Sequence, residues 1–379
     1  MYRDRQPQKI DNPGDMMKKL IAPVLTLLLA LGLGAGIYLS VNEQLNQQSI
    51  VPVRGLIGSE KEDFFRDPRV IEALAKKGLA VEVEKAGSRQ IATQFKLKEY
   101  DFAFPSGAPA AEKIKREAKV NKTYEVFFTP MAVASWKLIA DILQANGIVS
   151  QRDGIYYIID MTRLLQNIIA EKRWSDLDKS ASYNVKKSLL MGTTDVRQSN
   201  SAAMYLSLAS YILNNNNIVE SSAQIGTIIK PLESLFLRQG FMENSSATPF
   251  KDFLVMGPGK SPLVMIYEAQ YLEEAARPAT GVSDAMALLY PEPTIFTKHI
   301  LIPFNAKGDR LGAALADDPE LQKLAIEHGF RNRDAAGFRA FVKGHNLAVP
   351  DTLVNVIEPP TYEILEEMIT LIEQRYNGK

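Results

Sequence analysis

The chain has 379 residues, with 44 Lys and Arg balancing 44 Asp and Glu, and no cysteine. Balanced charge leaves no global field to draw nucleic acid, and the missing thiols exclude disulfides, thiolate catalysis, thiolate metal sites and an acylated cysteine anchor. His299, His328 and His345 stand at no metal-ligand spacing, and there is no Gly-x-Ser-x-Gly elbow, P-loop or glycine-rich dinucleotide turn, so neither an enzyme nor a cofactor is expected.

Residues 20–41 are an uncharged apolar run, long enough at helical rise to cross a bilayer core of about 30 Å. Arg3, Arg5, Lys9, Lys18 and Lys19 precede it, and no Lys or Arg follows until Arg54. The positive-inside rule therefore puts residues 1–19 in the cytoplasm and everything after Val41 in the periplasm or outside the cell, as a single-pass protein of the cytoplasmic membrane. Gly34-Ala35-Gly36 offers a competing signal-peptide reading, but the long polar leader and long apolar run favour an uncleaved anchor. Residues 42–49 form a polar spacer, and about 330 residues remain beyond it, more than one core usually supports, so two lobes are expected.

Residues 50–57 read as a strand, 62–77 as a helix containing Pro68 and ended by Gly78, and 79–84 as a strand. The pattern recurs with a strand at 100–104, a helix at 108–117 and a strand at 124–128, which predicts a parallel α/β layer over 50–130, the first lobe. From Met131 helical stretches at 134–145 and 161–172 flank a short strand at 155–159, and a helix at 202–213 and a strand at 264–267 follow. These make a second lobe, 131–288. The apolar run 285–289, Pro291, Pro293 and a strand at 300–304 read as a return crossing. Residues 289–379 then complete the first lobe with C-terminal helices, including one opened by Asp318-Pro319 and an amphipathic one at 360–376, expected to pack against that lobe.

The segment Thr193-Thr194-Asp195-Val196-Arg197-Gln198-Ser199-Asn200-Ser201 sets hydroxyl and amide donors at the start of the 202–213 helix. An unpaired first turn with its partial positive charge suits an oxygen-rich ligand, although capping alone explains an isolated segment of this kind. Three further turns lie where strands end: Gly58-Ser59-Glu60-Lys61, Gly87-Ser88-Arg89 and Pro105-Ser106-Gly107. At the carboxyl ends of parallel strands such turns converge on one crevice.

On these motifs, over about residues 50–301, the chain resembles bacterial extracellular solute-binding proteins of the type 2 periplasmic-binding fold, the sulfate, molybdate and iron binders. The turns Gly58-Ser59-Glu60-Lys61 and Ala86-Gly87-Ser88-Arg89 match the family's first two strand ends. Thr194 to Ser201 matches its second-lobe Thr-Asp-Pro-x-x-Ser-Asn-Ser segment, with Val196 in the proline position, and Tyr290-Pro291-Glu292-Pro293-Thr294-Ile295 resembles its return crossing. The resemblance implies two lobes on a two-stranded hinge that close on a small anionic solute, an oxyanion or carboxylate, for uptake or sensing. It implies ligand contacts from Ser59, Ser88 and Ser106 and from Thr194, Ser199, Asn200 and Ser201. Arg89 and Arg197 are charged candidates, and Tyr267 and Glu268 lie near the return toward the hinge. A helical tether departs from the released or lipidated form usual in the family and points to a membrane partner, a transporter or another envelope protein. The alternative is a tethered scaffold that has kept the fold without a small ligand, in which Phe104, Met131 or Trp136 would fill the cleft.

Overall fold

A computed structural model describes residues 32–33, 50–240, 242–376 and 378. Apart from residues 32–33, the apolar run 20–41 lies outside them, and among the described residues no helix is long and apolar enough to cross a membrane.

Strand β1 (Val51–Ile57) leads through a short turn to α1 (Glu62–Arg66) and α2 (Pro68–Lys76), then to β2 (Leu79–Lys85) and α3 (Ser88–Thr93). The single helix expected over 62–77 is two helices. Asp67 is extended (φ −61°, ψ 121°) because the residue before a proline is pushed out of the helical region, and its carboxylate caps α2 at the Arg69 amide. Next come β3 (Phe102–Phe104), α4 (Ala108–Ala118) and β4 (Tyr124–Trp136), then α5 (Lys137–Ala145), β5 (Val149–Arg152), β6 (Tyr156–Asp160) and α6 (Met161–Ile169). A long loop reaches α7 (Asn200–Leu213), α8 (Ser222–Leu237) and α9 (Ala247–Met256), followed by β7 (Leu263–Tyr267), α10 (Glu268–Ala276), β8 (Met286–Glu292) and β9 (Thr294–Pro303). The chain ends with α11 (Ala306–Asp317), α12 (Pro319–Glu327), α13 (Ala335–Gly344), β10 (Val356–Ile357) and α14 (Tyr362–Tyr376).

The sheet order is β2-β1-β3-β9-β4-β8-β6-β5, with β7 also on β4 and β10 on β9. Strand β4 joins its two halves. Residues Tyr124 to Pro130 pair antiparallel with β9, and Met131 to Ser135 pair with β7. Residues 134–136, expected to be helical, remain strand because Val133 to Trp136 pair with β8 and the Trp136 indole donates to the Ser261 carbonyl at 3.0 Å. The return crossing falls within Tyr290 to Ile295. Strand β8 pairs with β6 as far as Asp160↔Glu292, so 286–292 belong to the second half and the chain changes sides at Pro293.

In the first half β1 buries Val53 and Ile57 on one face and Leu56 on the other, each under its own helical layer, as a central parallel strand must. The larger core of the second half gathers Ile139, Leu164, Leu206, Leu232, Phe253 and Leu289. Helices α11 and α12 add Leu311, Leu315 and Leu321 to the first half, as expected. Helix α14 does not. Its Leu365, Met368, Ile369 and Ile372 join the second core, while Glu363 and Glu366 on the same helix reach Arg116 and Arg89 in the first half. An amphipathic pattern says that one face is buried but not against what.

Candidate functional site

The carboxyl ends of β1, β2 and β3 carry the turns at Gly58, Gly87 and Ser106, and all three open on one cleft of about 320 Å³. The second half faces them with the starts of α7 and α9 and with Tyr267 at the end of β7. The N-cap residues of α4, α7 and α9 are Gly107, Ser199 and Ser246, and none makes a side-chain cap hydrogen bond. Of these, only the starts of α7 and α9 line the cleft, where their dipoles add partial positive charge; the first amide of α9, Ala247, is already taken by Ser245 Oγ at 3.2 Å.

The halves meet directly. Asn200 Nδ2 donates to the Ser106 carbonyl at 2.9 Å, Gln90 Nε2 to Gln198 Oε1 at 3.0 Å, Ser245 Oγ to Ser59 Oγ at 2.8 Å, and Arg89 Nη1 to the Arg197 carbonyl at 2.8 Å. A Cβ at Gly87 would overlap the Gln198 carbonyl oxygen, and one at Gly107 would overlap the Asn200 side-chain oxygen. Glycine is required for close approach at Gly87, where the obstacle is backbone; at Gly107 it is the Asn200 side chain, itself held by Ser106 and Tyr267.

The floor holds an ion pair. Lys61 is fully buried, and its Nζ donates to Glu60 Oε1, to Ser106 Oγ at 3.0 Å and to His299 Nδ1 at 3.0 Å, so each ammonium N–H has an acceptor. The Phe104 ring lies 4.9 Å beneath it. Burial lowers the Lys61 pKa, against the pull of Glu60. Burial and then the neighbouring Lys61 hold His299 well below its ordinary 6.5, so its ring is neutral. Accepting at Nδ1 puts the ring proton on Nε2, on the side of Thr297 Oγ1 at 3.5 Å. Tyr267, also buried, accepts from Asn200 Nδ2 at 3.2 Å, and burial followed by the Glu60 charge raises its hydroxyl well above the usual range, so it stays protonated.

Of the residues expected to contact a ligand, Ser59, Ser88, Ser106, Ser199, Asn200 and Tyr267 line the cleft. Ser88 Oγ is engaged by the Ser106 amide at 3.0 Å. Thr194 and Ser201 lie behind the surface, both fully buried, in a hydroxyl chain linking Thr194 to Ser201 at 2.7 Å and Ser201 to Ser199 at 3.1 Å. They set the start of α7 rather than face the cleft. Three charged candidates are engaged elsewhere. Arg89 binds the Glu366 carboxylate at 2.9 Å, Arg197 binds Asp195 at 2.9 Å and stacks 4.8 Å from the Tyr376 ring, and Glu268 is held by Arg331 at 2.7 Å and by the Tyr290 hydroxyl at 2.7 Å. Glu60, Lys61, His299 and Ser245 were not anticipated. A charged pair in a turn reads as solvated, and the one available signal was a histidine alternating with Thr297 and Leu301 inside an apolar strand. Phe104, Met131 and Trp136, which would have filled the cleft, are buried in the cores on either side and do not line it.

No family model matches the chain, and no curated protein does. Solved structures do. The apo ferric ion-binding protein of Pasteurella haemolytica superposes with a TM-score of 0.54 at 11% identity, covering 85% of this chain and 97% of that one. A periplasmic binding protein of Actinobacillus pleuropneumoniae with fructose-6-phosphate bound gives 0.53 at 11%, covering 86% and 98%. The sulfate-binding protein of Mycobacterium tuberculosis gives 0.51 at 14%, covering 83% and 96%. These likenesses show the fold, that of the type 2 periplasmic binding proteins.

Proposed function

We propose that the chain is a solute-binding protein, tethered outside the cytoplasm by residues 20–41, that closes two lobes on a small anion. The convergence of the α7 and α9 N-termini on one cleft, opposite the hydroxyl-bearing turns at Ser59, Ser88 and Ser106, supports this reading, because the positive ends of two helices complement negative charge without a metal. Closure then follows from geometry. Donors on opposite lobes reach one ligand only when the lobes meet, so binding energy is available to hold them together. The solved structures it resembles are binding proteins, which supports a binding rather than a catalytic role, with a transporter or another envelope protein as membrane partner.

A melting-temperature screen of the full-length protein against inorganic oxyanions, phosphate esters and carboxylates tests the reading. A bound anion stabilises the native state by mass action. Ser199→Ala is expected to weaken binding by about fivefold, since a hydroxyl that faces the ligand contributes on the order of 1 kcal/mol. A broad screen without any shift would replace this reading with that of a ligand-free scaffold. For the tether, a reporter fused after Lys379 is expected to be active only in its extracytoplasmic form, and activity in the cytoplasm would overturn the orientation.

A further inference from the structure

The floor of the cleft carries a feature that a simple anion does not satisfy. Glu60 lines the cleft, its side chain is 3% exposed, and its Oε1 takes the hydrogen bonds from Lys61 and Ser106. Oε2 accepts none among the described residues. The three N–H groups of Lys61 are spent on Glu60, Ser106 and His299, so the lysine has no donor left for a ligand. A ligand placed against Oε2 must therefore bring a donor to it, and a fully deprotonated oxyanion would bring only more lone pairs.

Two other observations agree. The cleft, about 320 Å³, falls at the lower end of the range for organic ligands, about 300–1,000 Å³, and a single tetrahedral anion would leave most of it unfilled. Its remaining lining is rich in groups that both give and accept hydrogen bonds, among them Ser59, Asn244, Ser245, Ser246 and Thr248.

Building on the anion-binding reading, we infer that the ligand is a hydroxylated organic anion, a sugar phosphate or a sugar acid. Its anionic end meets the helix N-termini, and one of its hydroxyls donates to Glu60 Oε2. Glu60 is then the residue that separates this class from sulfate-like anions.

Titration calorimetry on the full-length protein with glucose 6-phosphate, gluconate, sulfate and molybdate tests this. The wild type is expected to bind glucose 6-phosphate or gluconate at least about tenfold more tightly than sulfate or molybdate, the two organic probes separating the phosphate from the carboxylate source. Glu60→Gln keeps the shape but puts an N–H₂ donor where the acceptor was, and is expected to abolish or reverse that preference. Should the variant fail to fold by circular dichroism, Glu60→Asp keeps the charge while withdrawing the acceptor, and is expected to weaken the organic anions without admitting sulfate. Equal binding of sulfate by the wild type, or an unchanged preference in the foldable variant, overturns the inference and leaves the anion site standing. Binding of neither class overturns both.

Discussion

The cleft floor and the seam beside it each carry an ion pair, and the two are built for different work. At the floor the Lys61 and Glu60 side chains are 0% and 3% exposed, locked by Ser106 and His299 within one lobe. At the seam Arg89 and Glu366 are 20% and 26% exposed, and Arg89 also reaches across to the Arg197 carbonyl. The floor pair leaves Glu60, which lines the cleft, with one oxygen that accepts from no described residue, so on the reading proposed above it would shape recognition. The seam pair is partly exposed, and through α14 it ties both halves to one helix, so on the reading proposed above it would bear on closure. An arginine near a binding cleft is thus no sign that it touches the ligand.

The contrast breaks most sharply at Lys61. Lys61→Met strands the Glu60 charge in the interior and is expected to cost about 3–5 kcal/mol in urea unfolding, because removing one partner of a buried pair leaves the other uncompensated. Adding Glu60→Gln to that variant is expected to restore much of the loss; if the single substitution costs under about 1 kcal/mol, the floor is not the buried pair described. The seam sits at the small end. Arg89→Ala is expected to change unfolding stability by less than about 1 kcal/mol after solvent screening, yet to weaken ligand binding a few-fold by loosening the closed form. A large stability loss with affinity unchanged would make the seam structural and erase the distinction.

Much of the fold can be read from the residues. The alternation of strand and helix over 51–118, the change of sheet partner at Met131 and the entry into α7 all follow from periodicity and turn chemistry. What escapes is decided by partners far along the chain. Residues 134–136 are apolar enough for either a helix or a strand, and only pairing with β8 settles them. Helix α14 announces a buried face without naming the core it enters. At the site, the small hydroxyl residues of the turns are legible because their positions at strand ends are local. Glu60 and Lys61 are not, because their pairing depends on His299, more than two hundred residues away, closing over them. The arginines mislead for the complementary reason: Glu366 arrives from the last helix to occupy Arg89.

Gly87 and Gly107 carry one further consequence. Where the halves touch at these points, the backbone rests on the Gln198 carbonyl at Gly87 and on the Asn200 side-chain oxygen at Gly107. On the closing motion proposed above, Gly87 would act as a hard stop of zero thickness, and the smallest shim there, a methyl group, would hold the jaws apart. On that reading, sequence drift that the rest of the cleft could absorb as a change of taste would register at Gly87 as a failure to shut.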